Sequence, residues 1–176
     1  MDRIDEKGFR ANVGIILMDD ANRVLIAGRS GRSGWQFPQG GVRVKESAEQ
    51  AMYRELGEEV GLGPDDVALA GVTRNWIRYT LPKKYLRKSE PKCIGQKQRW
   101  FLLSLRSNPD KLRFDSTNEP EFDRCRWVDY WQPVEEVIYF KRKVYITALT
   151  ELARVAFANS QPPPIPSSWP RSWREA

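Results

Sequence analysis

Histidine is missing altogether from these 176 residues, and cysteine occurs only twice, as Cys93 and Cys125. Without an imidazole there is no Ser–His or Cys–His nucleophile pair and no histidine metal ligand. Two distant cysteines give neither the spacing of a zinc site nor a disulfide framework. Long apolar runs are lacking too. Nothing approaches the roughly 18 residues of a membrane span, and the opening "MDRIDEKGFR" is too charged for an apolar leader. The expectation is a cytoplasmic protein with reduced thiols and no membrane partner. Proline is sparse until the end, where "QPPPIPSSWPRSWREA" holds five of the twelve. One domain is therefore expected over 1–158, followed by an extended, mobile tail over 159–176. Trp169 and Trp173, set amid arginines, are candidate partner contacts there, against the plainer reading of an unstructured end.

What is present is a basic balance, 29 Lys and Arg against 23 Asp and Glu, for a formal charge of +6. Such a balance favours polyanionic partners without separating RNA, DNA, nucleotides or anionic membrane. Apolar patterning predicts strands at Val13–Met18 and Arg23–Gly28, joined by a turn at Asp19–Asn22, and further strands near Val67–Val72, Asn75–Tyr79, Lys97–Leu105 and Phe122–Tyr130. Pro38 and the Gly40-Gly41 pair of "WQFPQGG" should stop any strand there. A last helix is expected from about Lys141 to Ala158, with Val144, Ala148, Leu152 and Val155 at core spacing. Strands flanked by helices imply an α/β fold.

"GGVRVKESAEQAMYRELGEEVGL", positions 40 to 62, carries the strongest signal. Ser47 and Gln50 read as a capping box and Gly61 as a helix end, so Glu55, Glu58 and Glu59 share one helix. On a wheel of about 100° per residue, Glu55 (about 340°) and Glu59 (about 20°) fall between Ala51 (about 300°) and Met52 (about 40°), inside the apolar stripe. Glu58, at about 280°, sits at its edge, and Gly57 lies on the outer face. A solvated acidic face does not have this geometry. Partly buried carboxylates need a positive neighbour: either a hard divalent cation, which takes oxygen ligands and bridges them to phosphates, or a basic side chain such as Arg54.

The spacing Gly40, five residues, Glu46, seven residues, Arg54-Glu55-Leu56, one residue, Glu58-Glu59, one residue, Gly61-Leu62 resembles the Nudix box. A chance match of its seven fixed residues is about one in 10⁸ per position. Over roughly residues 8 to 158, "GFRANVG", "WQFPQGG", "TRNWIRYTLP", "CIGQKQRWFLL", "PEFDRCRWVDYW" and "FKRKVY" further resemble one Nudix branch. That branch comprises bacterial RNA pyrophosphohydrolases, also called dinucleoside polyphosphate hydrolases. The resemblance implies an α/β/α Nudix sandwich with a mixed central sheet and the box as loop-helix-loop. The implied reaction is removal of the terminal two phosphates from triphosphorylated RNA 5′ ends, which leaves a monophosphate and promotes mRNA decay. It further implies that Glu55, Glu58, Glu59 and the Gly40 carbonyl hold two or more Mg2+ or Mn2+ ions, with Arg54 keeping the glutamates in register. Glu55 or Glu58 would take the water proton, and Glu121 would be an added ligand or base, unless it is merely a loop-end charge. Gly57 departs from the larger residue often found in the box, at a helix-propensity cost of about 1 kcal/mol.

Recognition candidates follow. "RNWIRYTLPKKYLRK", from Arg74 to Lys88, interleaves six basic residues with Trp76, Tyr79 and Tyr85. This composition suits phosphates and stacked bases, or else a strand and a solvated loop; Arg78, Tyr79, Lys83 and Lys84 are its candidate contacts. Arg29 and Arg10 are placed to reach phosphate, and Gln96 of "CIGQKQRWFLL" is a further substrate candidate. Phe140 and Lys141 offer a ring beside a cation, although Phe140 equally suits a core. The RNA 5′ end is the leading substrate, a dinucleoside polyphosphate such as Ap4A the closest alternative. A non-catalytic nucleotide- or RNA-binding module fits poorly with a complete box.

Overall fold

The computed structural model describes residues 3–86 and 92–174; Arg87 and Lys88 of the basic stretch lie outside them. Strand β1 (Phe9–Met18) runs parallel to β7 (Gly95–Leu105) at the centre of a mixed sheet, in unbroken register from Phe9 opposite Gly95 to Met18 opposite Ser104. The remaining described pairs are antiparallel. β2 (Val24–Arg29) joins β1, β3 (Trp35–Gln36) and β8 (Phe122–Val128), β4 (Gln39–Gly41) adds to β1, and β5 (Val67–Val72) and β6 (Ile77–Thr80) pair with β7.

Strand alternation divides the interior in two. Val13, Ile15 and Leu17 of β1 pack under α1 (Ala48–Val60) with Ala51, Met52, Leu56 and Val60. Ile16 and Met18 face the other way, onto α3 (Arg142–Ala156), with Trp100, Tyr145, Leu149 and Leu152. The short α2 (Gln132–Glu136) lies on the α3 side. Helix, sheet and helix layers thus agree with the expected α/β/α sandwich.

Four expectations need correction. β1 begins at Phe9, four residues before the expected Val13, because Phe9–Asn12 continue the parallel ladder despite their polar members. "WQFPQGG" does not end strand structure: β3 and β4 flank the corner Phe37-Pro38, and the Tyr145 hydroxyl accepts the Phe37 N–H (2.9 Å) that the corner would otherwise orphan. Val155 is 43% exposed, because the buried stripe of α3 runs instead through Val144, Tyr145, Ala148, Leu149 and Leu152. Finally, residues 159–174 are not a free extension. Trp169 is 3% exposed within the α3-side core, Trp131 Nε1 donates to the Pro163 carbonyl (2.9 Å), and α4 (Arg171–Arg174) closes the described chain.

The box helix has the ends its sequence signals. Ser47 Oγ accepts from the Gln50 N–H (3.1 Å) while Gln50 Oε1 accepts from the Ser47 N–H (2.9 Å), and Gly61 adopts φ +72° as the left-handed cap. A Cβ on Gly61 would also sit 2.9 Å from that of Arg113. Gly61→Ala should therefore lower stability by about 1–2 kcal/mol in urea denaturation; an unchanged midpoint would show that the cap relaxes without cost.

Candidate active site

Arg54 organises the carboxylates. Its Nε and Nη2 donate to the two oxygens of Glu46 (2.7 and 2.9 Å), Nη2 also reaches the Gly41 carbonyl (2.7 Å), and Nη1 serves both Glu55 and Glu58 Oε2, the latter at 3.2 Å. One planar fork thereby ties the loop before the helix to two turns of the helix itself. Glu46 is held below the usual carboxylate range, first by that bond.

The burial pattern matches the wheel. Glu55 and Glu59 are 9% and 7% exposed, whereas the Glu58 side chain is 41% exposed and also meets Arg43 (3.4 Å). A Cβ on Gly57 would meet only the Leu62 carbonyl, at an ordinary 3.7 Å. Glu55 lies against Gly40 so closely that any Cβ there would fall 1.8 Å from its carboxyl carbon, which explains a glycine at that position. Glu59 Oε2 accepts the Gln39 N–H (2.9 Å). Glu121, on the strand-leading segment before β8, turns its carboxyl toward Glu59 and accepts from Gln36 Nε2 (3.1 Å). Desolvation, followed by the neighbouring carboxylates Glu121 and Glu55, pushes Glu59 well above its ordinary range; Glu55 is raised by burial against the opposing pull of Arg54.

Among the described residues no three acidic side chains are arranged to hold an ion as they stand, and Arg54 engages Glu46, Glu55 and Glu58. The donor set nevertheless fits a hard divalent cation: anionic oxygens, drawn out of water, raised in pKa by one another and therefore short of positive charge.

On the α3 side lies a cavity of ≈ 480 Å³ whose lining includes Arg29, Gln36, Ile138, Phe140 and Lys141. Lys141 is 8% exposed, with Nζ 3.1 Å from Gln39 Oε1 and 3.5 Å from Gln36 Oε1; burial lowers its pKa to about 8. Phe140 is half-buried, its ring 6.1 Å from Tyr79 and 5.0 Å from Tyr85. Arg10, Gln96 and Tyr79 are register partners across β1, β7 and β6, and Tyr79 donates to Gln96 Oε1 (2.8 Å). Tyr79 is itself 8% exposed, a wall of the core more than an open stacking platform. Arg78 does not join this group: strand alternation sends it to the opposite face of β6, over the Phe9 ring at 5.8 Å. Lys83 and Lys84 are exposed on the loop, and Lys84 Nζ lies 5.0 Å from the Tyr85 ring.

Sequence reasoning missed the amides joining the two regions. Gln98 Nε2 donates to Asn12 Oδ1 (2.7 Å) and Gln39 Oε1 (3.3 Å), and Gln98 is fully buried. The available signal was a polar residue at an inward strand position in both "RANVG" and "GQKQRW".

The chain matches the NUDIX domain model over residues 8–148 and belongs to that family, whose hydrolases generally use divalent metal ions. Among its relatives, a protein named RNA pyrophosphohydrolase from Halorhodospira halophila is 59% identical over 85% of this chain and 83% of its own. The protein of that name from Alkalilimnicola ehrlichii is 51% identical over 96% and 93%. The fold is shared more widely: the Escherichia coli dihydroneopterin triphosphate pyrophosphohydrolase superposes with a TM-score of 0.63 at 18% identity, over 80% of this chain and 94% of that one.

The raised Glu59 carboxyl has a consequence for stability. A carboxyl whose folded pKa exceeds its unfolded value contributes its stability below the unfolded pKa, and loses it as pH rises through the folded one. Glu59→Gln lacks that slope and can keep the Gln39 bond. In chelator-treated protein its melting temperature should exceed wild type by on the order of 3 °C or more at pH 8, with the difference vanishing near pH 4. A variant that melts lower at pH 8 would show that the carboxylate is not strained there.

Proposed function

We propose that this Nudix protein is a metal-dependent RNA 5′-pyrophosphohydrolase. The observation that carries the reading is the continuity of two regions: the Gln39 backbone binds Glu59 while its side chain binds Lys141, which lines the cavity with Arg29 and Phe140. A polyphosphate at the carboxylates would thus have cations and an aromatic ring within one connected site. The names of the relatives at 51–59% identity support the same substrate.

In this reading the Gly40 carbonyl, Glu55, Glu58, Glu59 and Glu121 would hold more than one Mg2+ or Mn2+ ion. Bound ions supply a lowered water pKa and neutralise charge on the phosphoryl oxygens. Water oxygen forms a bond to phosphorus at the anhydride next to the RNA, the bond to the bridging oxygen breaks, and pyrophosphate leaves a 5′-monophosphate. The water proton passes to Glu55 or Glu58. Arg54 keeps both in place, while Arg29, Arg10 and Lys141 offset phosphate charge and Phe140 stacks on a base. Lys83 and Lys84 attract the chain from the loop.

Glu58→Gln should reduce turnover of a triphosphorylated oligoribonucleotide by about 10³-fold, since losing one charged ligand removes several kcal/mol of transition-state stabilisation. Activity within about threefold of wild type would remove Glu58 from the mechanism. Parallel assays with Ap4A under the same metal and salt separate the two substrate classes, and faster turnover of Ap4A would overturn the RNA assignment.

Phe140→Ala should weaken RNA handling by roughly 5- to 150-fold, the worth of one stacked base, while slow hydrolysis of a nucleoside triphosphate stays near wild type. If Phe140 is purely structural, both activities fall together with the melting temperature, as a cavity costing about 3–5 kcal/mol requires.

A further inference from the structure

Residues 137–141, which carry Ile138, Phe140 and Lys141 to the cavity, are held locally by a single 3-10 turn at Tyr139–Lys141 and by the Val137 N–H to the Pro133 carbonyl (3.1 Å). The preceding α2 is five residues long with no side-chain N-cap, and α3 begins at an N-cap, Lys141, whose side chain caps nothing. A helix this short is marginal by itself, so its position must come from tertiary contacts.

Val134 and Val137 are buried in the α3-side core, Phe140 packs on Tyr79 and Tyr85, and Lys141 is bonded to Gln36 and Gln39; the C-terminal segment adds contacts at both ends. Trp169 is 3% exposed and its Nε1 donates to Glu135 Oε1 of α2 (2.6 Å). Its ring lies edge-on to Trp131 and Trp173, with centroids 5.9 Å away in each case. Trp173 in turn lies under the Arg142 guanidinium, 4.5 Å from ring centroid to Cζ, while Arg142 Nε donates to the Val134 carbonyl (3.3 Å). Glu135 and Arg142 bracket residues 137–141, one on each side. The tail therefore grips both ends of the segment that forms the cavity edge. Its prolines suit this: an extended, proline-stiffened chain has less freedom to lose on docking than a flexible one.

We propose that the C-terminal segment is a strap and that Trp169 and Trp173 are positioning residues, acting through Glu135 and Arg142 to set the Ile138–Phe140 edge for an RNA base, while Lys141 keeps its own bonds to Gln36 and Gln39. Neither tryptophan touches the carboxylate cluster. Their effect is on recognition and not on the phosphate chemistry. The proposal rests on the reading that Phe140 stacks on a base of the RNA.

The test uses three full-length variants: Trp169→Phe, which keeps the ring and loses the N–H donor; Trp173→Ala, which removes the ring under Arg142; and Trp173→Phe, which restores it. For the first two, KM for a triphosphorylated oligoribonucleotide should rise about tenfold with kcat within about twofold, ATP hydrolysis should be unchanged, and Trp173→Phe should recover most of the loss. Amide hydrogen exchange at 137–141 should speed up while the β1–β7 ladder stays protected. Unchanged exchange at 137–141 overturns the proposal, as does a parallel fall of RNA and ATP turnover. Faster exchange with unaltered RNA KM also overturns it; if Phe140→Ala then still raises that KM, the substrate reading survives, and if it does not, that reading has failed as well.

Discussion

The contact between Arg54 and the box carboxylates is the constraint on which the rest of the site depends. Burying Glu55 and Glu59 opposes folding, since each loses hydration and each lies in the field of other carboxylates. A single guanidinium offsets part of this by touching Glu46, Glu55 and Glu58 at once, and by anchoring to the Gly41 carbonyl fixes the loop relative to the helix. Lysine could not do so, because a point charge with three donors on one atom cannot span a bidentate carboxylate and three further partners. The capping box and the left-handed Gly61 then hold the helix whose turn spacing sets those carboxylates apart.

The sheet determines how acid and recognition chemistry meet. β4 is three residues long, yet alternation along it aims Gln39 toward the α3 side and Gly40 toward α1. One face of the strand thus receives Glu55 on a bare Cα, while the other offers an amide to Lys141. The Phe37-Pro38 corner that precedes it is fixed by the Tyr145 hydroxyl from α3. Both helices therefore control the same short strand from opposite sides.

How far this could be read from sequence depends on the range of the interaction. The box helix, its caps and the inward placing of Glu55 and Glu59 are local consequences of a 3.6-residue period, and all were legible. The meeting of Glu121 with Glu59 was suggested by family resemblance alone, because 62 positions of chain separate them and no local rule links the two. The separation of Arg78 from Tyr79 follows from alternation once β6 is placed, but composition had grouped them. The tail was misjudged for a specific reason: proline content reports the absence of regular hydrogen bonding, not the absence of docking, and Trp169 supplies enough apolar surface to dock.

The placement of Lys141 explains why so much of the joining surface is amide. A lysine bonded directly to Glu59 or Glu121 would neutralise the carboxylates and compete with any cation for them. Here its ammonium meets Gln39 Oε1 and Gln36 Oε1, and Gln36 passes its own Nε2 to Glu121. Each glutamine accepts from the cation on one side and donates toward a carboxylate on the other, Gln36 through its side chain and Gln39 through its backbone N–H. Charges of opposite sign are thereby kept near one another without contact. The cost appears in Lys141 itself, whose pKa falls to about 8 because amides compensate poorly for lost water. A phosphate entering beside it would supply a counter-charge that the amides do not, so a polyanionic substrate would stabilise the buried ammonium as it binds.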